Sequence, residues 1–392
     1  MREFGTALAS AGLATVLLTF AFIDLEFAVD LGSWNANAPL ADIAALAMLP
    51  LGMWSVRTGA GTPMPVAPWA LLCVAALLSL VNAADPLEGA HFVLRKVLFP
   101  GIAFGVGLAG LVSGRIPPRT TRKLLVMGLG LTAAVSVVTS TGRLLAGNAL
   151  WWSRIEGLTP NHKTLAVALA GSLPLALGIA TGPAGRVRTA ARAVGALAVV
   201  AIGMSMSKAA WLGAGVGIAW FVPRRRPLAA RPGVLAPALA LALMILASLP
   251  LVTGSRAMLD SARSRHSLNI RAWKLFRAHP MLGSGAGAST TFEAVTFPDY
   301  RVNGVDAHGV IQKVGGELGV FGLGTWFWFT GAVGVGLWRR REPMGAGLAW
   351  GALGTFTTLH VELLLSTETF APTHWAPLAV AWGLAHATEE SS

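Results

Sequence analysis

The chain has 392 residues, of which 54% are hydrophobic and only 12% charged, with a mean hydropathy of +0.63, whereas soluble domains carry roughly 25% charged residues. That composition excludes a soluble globular domain and describes a polytopic membrane protein. The net charge is +12, from 30 Lys/Arg against 18 Asp/Glu. The single cysteine, Cys73, sits in the apolar run WALLCVAALLSL, which excludes an intrachain disulfide and reads as a small apolar filler.

The N-terminal run from Gly5 to Ile23 is longer than the h-region of a signal peptide and no small-x-small cleavage site follows it, so it reads as an uncleaved first span. A helix needs roughly 20 apolar residues to cross the hydrocarbon core. Runs of that kind fall near residues 5–23, 37–56, 66–83, 97–113, 123–141, 164–181, 193–206, 208–222, 233–252, 310–337, 344–365 and 371–387. The expectation is an all-α integral membrane protein of about twelve transmembrane helices, a single transmembrane domain over residues 1–392. A long connection, 253–309, separates the ninth run from the tenth.

Every second short connection is basic, and this orients the chain. Arg57, then Arg115, Arg119, Arg122 and Lys123, then Arg186, Arg188 and Arg192, then RRRPLAAR at 224–231, then Arg339, Arg340 and Arg341 occupy alternate loops. The positive-inside rule makes those loops cytoplasmic, and both termini with them. The first opposite connection, DLEFAVDLGSWNANAP, carries Asp24, Glu26 and Asp30 and no base.

One outer connection breaks the pattern. Between Thr253 and Gly309 lie Arg256, Arg263, Arg265, Arg271, Lys274, Arg277 and Arg301, against Asp260, Glu293, Asp299 and Asp306. Long loops escape the charge rule during insertion. Outer cations still need a reason, either a charged surface attracted to anionic head groups or a site for an anionic substrate. Local pattern favours the site. With Leu268 to Ala278 as a short interfacial helix, Arg271, Lys274 and Arg277 share one face, while Leu268, Ala272, Trp273, Leu275 and Phe276 share the other and Ile270 falls on the wrong side. Pro280 ends that helix, and the following GSGAG permits tight turns and close backbone approach to a ligand.

Three more polar islands fall on the outer side. WWSRIEGLTPNHKTLA holds Arg154, Asn161, His162 and Lys163 just before the sixth run; SMSKAAW puts Lys208 at a helix start; and DAHGVIQKVGGELGVFG puts His308 where the long loop re-enters the membrane. Each alone has a plain explanation, since Trp151 and Trp152 suit interfacial anchoring, Lys208 suits snorkelling and a lone His is more often structural. Four islands on one face make a stronger case together. Arg and Lys without a carboxylate cluster suit phosphate oxygens, and a His near pKa 6.5 can act as general base. Metal-ligand spacing and paired carboxylates for glycoside hydrolysis are both missing from the pattern. A diphosphate leaving group held by cations, with His308 activating a hydroxyl, fits this inventory.

The segments SRIEGLTPNHKTLAVAL, SMSKAAWLGAG, RAWKLFRAHPMLGSGAG and AHGVIQKVGGELGVFG, spanning about residues 153–325, together resemble the O-antigen ligase and polymerase superfamily of bacterial envelope proteins. The most specific element is a His, one amide or hydroxyl residue, nine residues, then Gly-x-x-Gly, typical of the ligase branch; here His308 and Gly309 precede residues 310–318, then Gly319 and Gly322. Gly309 departs from the amide or hydroxyl, and Lys208 stands where the family usually has Arg.

The resemblance implies a GT-C-like fold and a metal-independent, cofactor-free, inverting glycosyl transfer at the periplasmic face of the bacterial inner membrane. The donor would be a glycan on undecaprenyl diphosphate. His308 would take the acceptor proton, while Arg271, Lys208, Arg154 and, in an alternative register, Arg265 hold the diphosphate, with Asn161, His162 and His279 in support. A ligase would transfer to lipid A-core, whereas a polymerase would extend another lipid-linked unit; the spacing after His308 favours the ligase. Nothing in the pattern calls for nucleic acid. The rival class, a transporter, would use intramembrane charge such as Asp42, Glu317, His360 or Glu362, but the halves show no repeat and the cations lie at the membrane edge.

Overall fold

The structure is a computed structural model that describes residues 2–18, 26–30, 35–145, 162–205, 207–221, 256–289, 295–296, 301–302, 309–342, 344, 346–365 and 372–387. Its helices are α1 (Arg2–Leu18), α2 (Leu40–Arg57), α3 (Val66–Ser79), α4 (Pro86–Gly114), α5 (Pro118–Leu145), α6 (His162–Ala180), α7 (Arg186–Met204), α8 (Lys208–Ala219), α9 (Arg256–Ala278), α10 (Val310–Arg339), α11 (Ala346–Leu365) and α12 (Pro372–His386). Eleven of the twelve apolar runs coincide with helices; the run at 233–252 lies outside the described residues. Two short antiparallel ribbons, β1 (Glu26–Asp30) with β2 (Asn35–Pro39) and β3 (Val295–Thr296) with β4 (Arg301–Val302), qualify the all-α expectation.

Among the described residues, five helices are long and apolar enough to cross a membrane: Pro86–Gly114, Pro118–Gly142, Arg186–Met204, Val310–Arg339 and Ala346–Leu365. Gly5–Leu17, Ile43–Arg57, Val66–Asn82 and Thr164–Ala180 are shorter apolar helices. Leu46, Met53, Leu77, Val138, Phe327 and Trp328 all stand more than half exposed. Water would penalise a surface of that kind, and hydrocarbon would not.

The chain packs through small residues, because close backbone approach is how helices associate in lipid. Gly213 and Gly217 of α8 lie against Thr358 and Gly354 of α11, and the Thr358 hydroxyl donates to the Gly213 carbonyl at 3.0 Å. Thr355 donates to the Gly171 carbonyl of α6 at 2.7 Å, and Gly178 abuts Gly347. These registers run α11 antiparallel to both α6 and α8. The starts of α6 and α8 therefore share one end of the bundle with the finish of α11. The basic connections gather at the other end, where Ala60 abuts Gly114, and Trp220 stacks on Trp350 at 5.8 Å and lies 6.1 Å from Trp338.

Two helices differ from expectation. The loop helix α9 extends over Arg256–Ala278, well beyond the expected Leu268–Ala278. Helix α10 is broken at Gly319, whose φ of 67° and ψ of −162° are not helical. The tenth run is thus a half-helix, Val310–Leu318, followed by a longer apolar helix.

Candidate functional site

The site end of the bundle is organised around that break. A break orphans carbonyls on one side and amides on the other, and the loop after α9 supplies partners for both. Ser284 and Gly285 donate their amides to the carbonyls of Gly316 and Glu317 at 3.0 and 3.1 Å, while the amides of Val320 and Phe321 donate to the carbonyls of Pro280 and Met281 at 2.8 and 3.3 Å. Gly283 (φ 73°) is pressed against the Glu317 backbone, where no side chain fits. On its far side the loop meets α3 and α4. Asn82 Nδ2 donates to the Gly283 carbonyl at 2.9 Å, the Ala286 amide donates to Ser79 Oγ at 3.0 Å, and a side chain at Gly285 would lie 2.6 Å from Ala83.

This corrects the reading of GSGAG as a place for backbone to approach a ligand. The amides of Gly283, Ser284, Gly285, Ala286 and Ala288 all donate to protein acceptors. The glycines serve close packing between helices.

Helix α9 brings the cations. Leu268, Ala272 and Leu275 are buried, a stripe at spacings of four and three residues that faces α10. Gly316 permits the contact, since a methyl there would stand 3.1 Å from the Ala272 carbonyl oxygen. Arg271 flanks this stripe and is half-buried, whereas Lys274 and Arg277 are exposed. Trp273, on the apolar face of the expected interfacial helix, is 53% exposed; it stacks on Phe276 at 5.3 Å and lies under the Arg277 guanidinium at 5.2 Å. Its position in the wheel sits beside Ile270, which is also exposed. His279 is exposed, donates its amide to the Leu275 carbonyl at 3.2 Å and accepts from the Gly283 amide at 2.8 Å. Ser284 Oγ donates to the Leu275 carbonyl at 3.0 Å, joining helix end and loop.

Lys208 is exposed at the first turn of α8. The tight turn before it is built from side chains: Ser207 caps the helix by accepting the Ala210 amide at 3.4 Å, Ser205 Oγ accepts the Ser207 amide at 3.2 Å, and Trp211 Nε1 donates back to the Ile202 carbonyl at 2.8 Å. Gly309 precedes α10 with φ 105°, and a methyl there would lie 2.8 Å from the Leu364 carbonyl of α11. Gly213, five residues beyond Lys208, lies 3.3 Å from Glu362 Cγ in the same sense. Gly213 of α8 and the residue following His308 therefore both adjoin the closing turns of α11.

His308, Arg154 and Asn161 lie outside the described residues, and His162 and Arg265 are described in backbone only, as the first residue of α6 and a residue of α9. Among the described residues, no group of three His, Cys, Asp or Glu is placed to hold a metal ion.

Cations that the sequence reading passed over lie beside the same loop. Lys313 is 2% exposed, with Nζ 4.8 Å from the centre of the Phe92 ring. Arg95 and Lys96, both half-buried, sit in the π-helical stretch Val93–Leu98 of α4, one turn beyond Phe92, which touches Gly287. Wide turns of this kind recur at functional sites. Lys313 escaped notice because an apolar run reads as membrane interior; its spacing of five from His308 was the available signal.

A family model described as O-antigen ligase matches residues 193–327. The matched stretch covers α8, α9, the glycine loop and the break at Gly319. No curated protein matches the chain.

Proposed function

We propose that the protein, whose residues 193–327 match the family model described as O-antigen ligase, is an O-antigen ligase of the O-antigen ligase and polymerase superfamily. It transfers a glycan from undecaprenyl diphosphate to a sugar hydroxyl of lipid A-core, with inversion and without a metal. The observation that carries this reading is the docking of the cationic helix α9, with half-buried Arg271, onto the half-helix that starts directly after His308.

In this reading His308 removes the acceptor proton as its oxygen attacks the anomeric carbon from the face opposite the diphosphate, and the carbon–oxygen bond to the diphosphate breaks. The leaving group departs with its electron pair, and Arg271, Lys208 and Arg154 hold the charge that develops on its oxygens. Arg265 is the alternative diphosphate ligand; Asn161, His162 and His279 support the site. Positive-inside orientation puts the gathered basic connections in the cytoplasm of the inner membrane and the site end in the periplasm. The spacing between His308 and Gly319 favours the ligase over a polymerase.

The test combines purified protein, an undecaprenyl diphosphate-linked glycan and rough lipopolysaccharide, with EDTA present. Glycan-capped lipopolysaccharide is the expected product. Longer lipid-linked glycans formed without lipopolysaccharide would replace the ligase with a polymerase, and no transfer with any compatible donor would turn the reading toward transport.

A further inference from the structure

The glycine loop is held to α10 at two places. Backbone bonds secure Pro280–Gly285 to the helix break, as described above. The second place is a side chain: Glu317 Oε1 accepts the Ser289 hydroxyl and, at 3.3 Å, the Ser289 amide. Glu317 is 2% exposed and Lys313, one turn earlier on the same face, is equally buried. Burying a carboxylate is costly unless donors reach it, and two donors from one residue of the loop make this a strong, directed contact.

The consequence lies in chain order. Ser289 is where the chain leaves the docked loop, and Gly309 is where it rejoins α10; the intervening residues 290–308 end in His308. Glu317 sits two turns along the half-helix that Gly309 opens. Its bond to Ser289 therefore closes the base of the segment that delivers His308.

We propose that Glu317 is a positioning residue: by pinning Ser289 to the Val310–Leu318 half-helix, it fixes both ends of the segment carrying His308. The proposal rests on the glycan-transfer reading for its kinetic consequence, not for the clamp itself. Loosening a support of this kind costs rate without weakening donor binding, because the cations on α8 and α9 remain. Misplacement by about 1 Å costs on the order of 100-fold.

The experiment compares wild type with Glu317→Ala, Glu317→Gln, Ser289→Ala and the double alanine variant. Backbone hydrogen–deuterium exchange over 283–289 is measured in detergent, and kcat and donor KM with lipid-linked glycan and rough lipopolysaccharide. Glu317→Ala is expected to speed exchange and lower kcat roughly 10- to 100-fold with KM unchanged. Glu317→Gln, which keeps an acceptor oxygen, restores most of kcat. The double variant is no worse than Glu317→Ala, since both remove one contact. Unchanged exchange in Glu317→Ala, or losses that multiply in the double variant, would overturn the clamp. Ser289→Ala removes only a hydroxyl and carries the test if Glu317→Ala does not fold. A wild type without transfer activity defeats the ligase reading, and the exchange data then decide the clamp by themselves.

Discussion

Gly309 is seated on Leu364: any side chain at Gly309 would meet that carbonyl oxygen at 2.8 Å and crowd Gln312 as well. The residue after His308 is thus fixed against the last turns of α11, at a φ of 105° that side chains rarely adopt. The superfamily's usual amide or hydroxyl has no room here, and the departure from its pattern has a local steric cause.

Gly309→Asn therefore moves toward the superfamily pattern and away from this protein's packing. We expect it to destabilise the fold by about 1–3 kcal/mol, read as a lowered midpoint of thermal unfolding in detergent. An unchanged midpoint with raised transfer activity would refute this account.

His308→Ala should abolish the general-base contribution, a loss of roughly 10²- to 10⁴-fold in kcat, while donor binding to the detergent-solubilised protein stays intact. The same variant should keep the wild-type unfolding midpoint. Wild-type kcat in this variant would remove His308 from the mechanism.

Arg271 and Lys208 should respond differently to exchange of one cation for the other. Arg271→Lys loses the planar fork that engages two phosphate oxygens, and about a tenfold weaker donor KM is expected. Lys208→Arg gains a fork at an exposed helix start and should retain activity or improve on it. Lys208→Ala should fall below wild type, and its loss should shrink at high salt, where exposed charges are screened. Equal tolerance of both conservative changes would argue against direct phosphate contact by Arg271.

Gly316→Leu tests whether contact between α9 and α10 matters for chemistry. A methyl at Gly316 already reaches 3.1 Å from the Ala272 carbonyl oxygen, so a leucine must push the helices apart. The expected outcome is a loss of transfer of at least about 100-fold, measured with the same donor and acceptor. Exposed Lys274→Ala, on the same helix, should change activity less than Arg271→Ala.

Much of this molecule could be read from its residues. Spans follow from runs of apolar residues because lipid demands that a helix satisfy its own backbone, so length and hydropathy alone locate it; eleven runs became helices. The stripe Leu268, Ala272 and Leu275 was legible as period, and it is buried. Trp273, on the same apolar face, stays exposed beside Arg277, as a membrane interface lets an amphipathic ring do. Lys313 was missed because it is a cation buried over Phe92 inside an apolar run.

The sequence by itself determined a multi-pass helical membrane protein, a resemblance to the O-antigen ligase and polymerase superfamily over about residues 153–325, and the short list of cations and histidines proposed for the site. Those follow from local composition and spacing. Only the tertiary structure decided that GSGAG plugs the broken helix, that Gly309 rests on α11, and that Glu317 reaches Ser289. The first depends on which backbone groups the break at Gly319 leaves in need of partners, the second on the space beside Leu364, and the third on which donors reach a buried carboxylate. All three join segments distant in the chain, so no local pattern could reveal them.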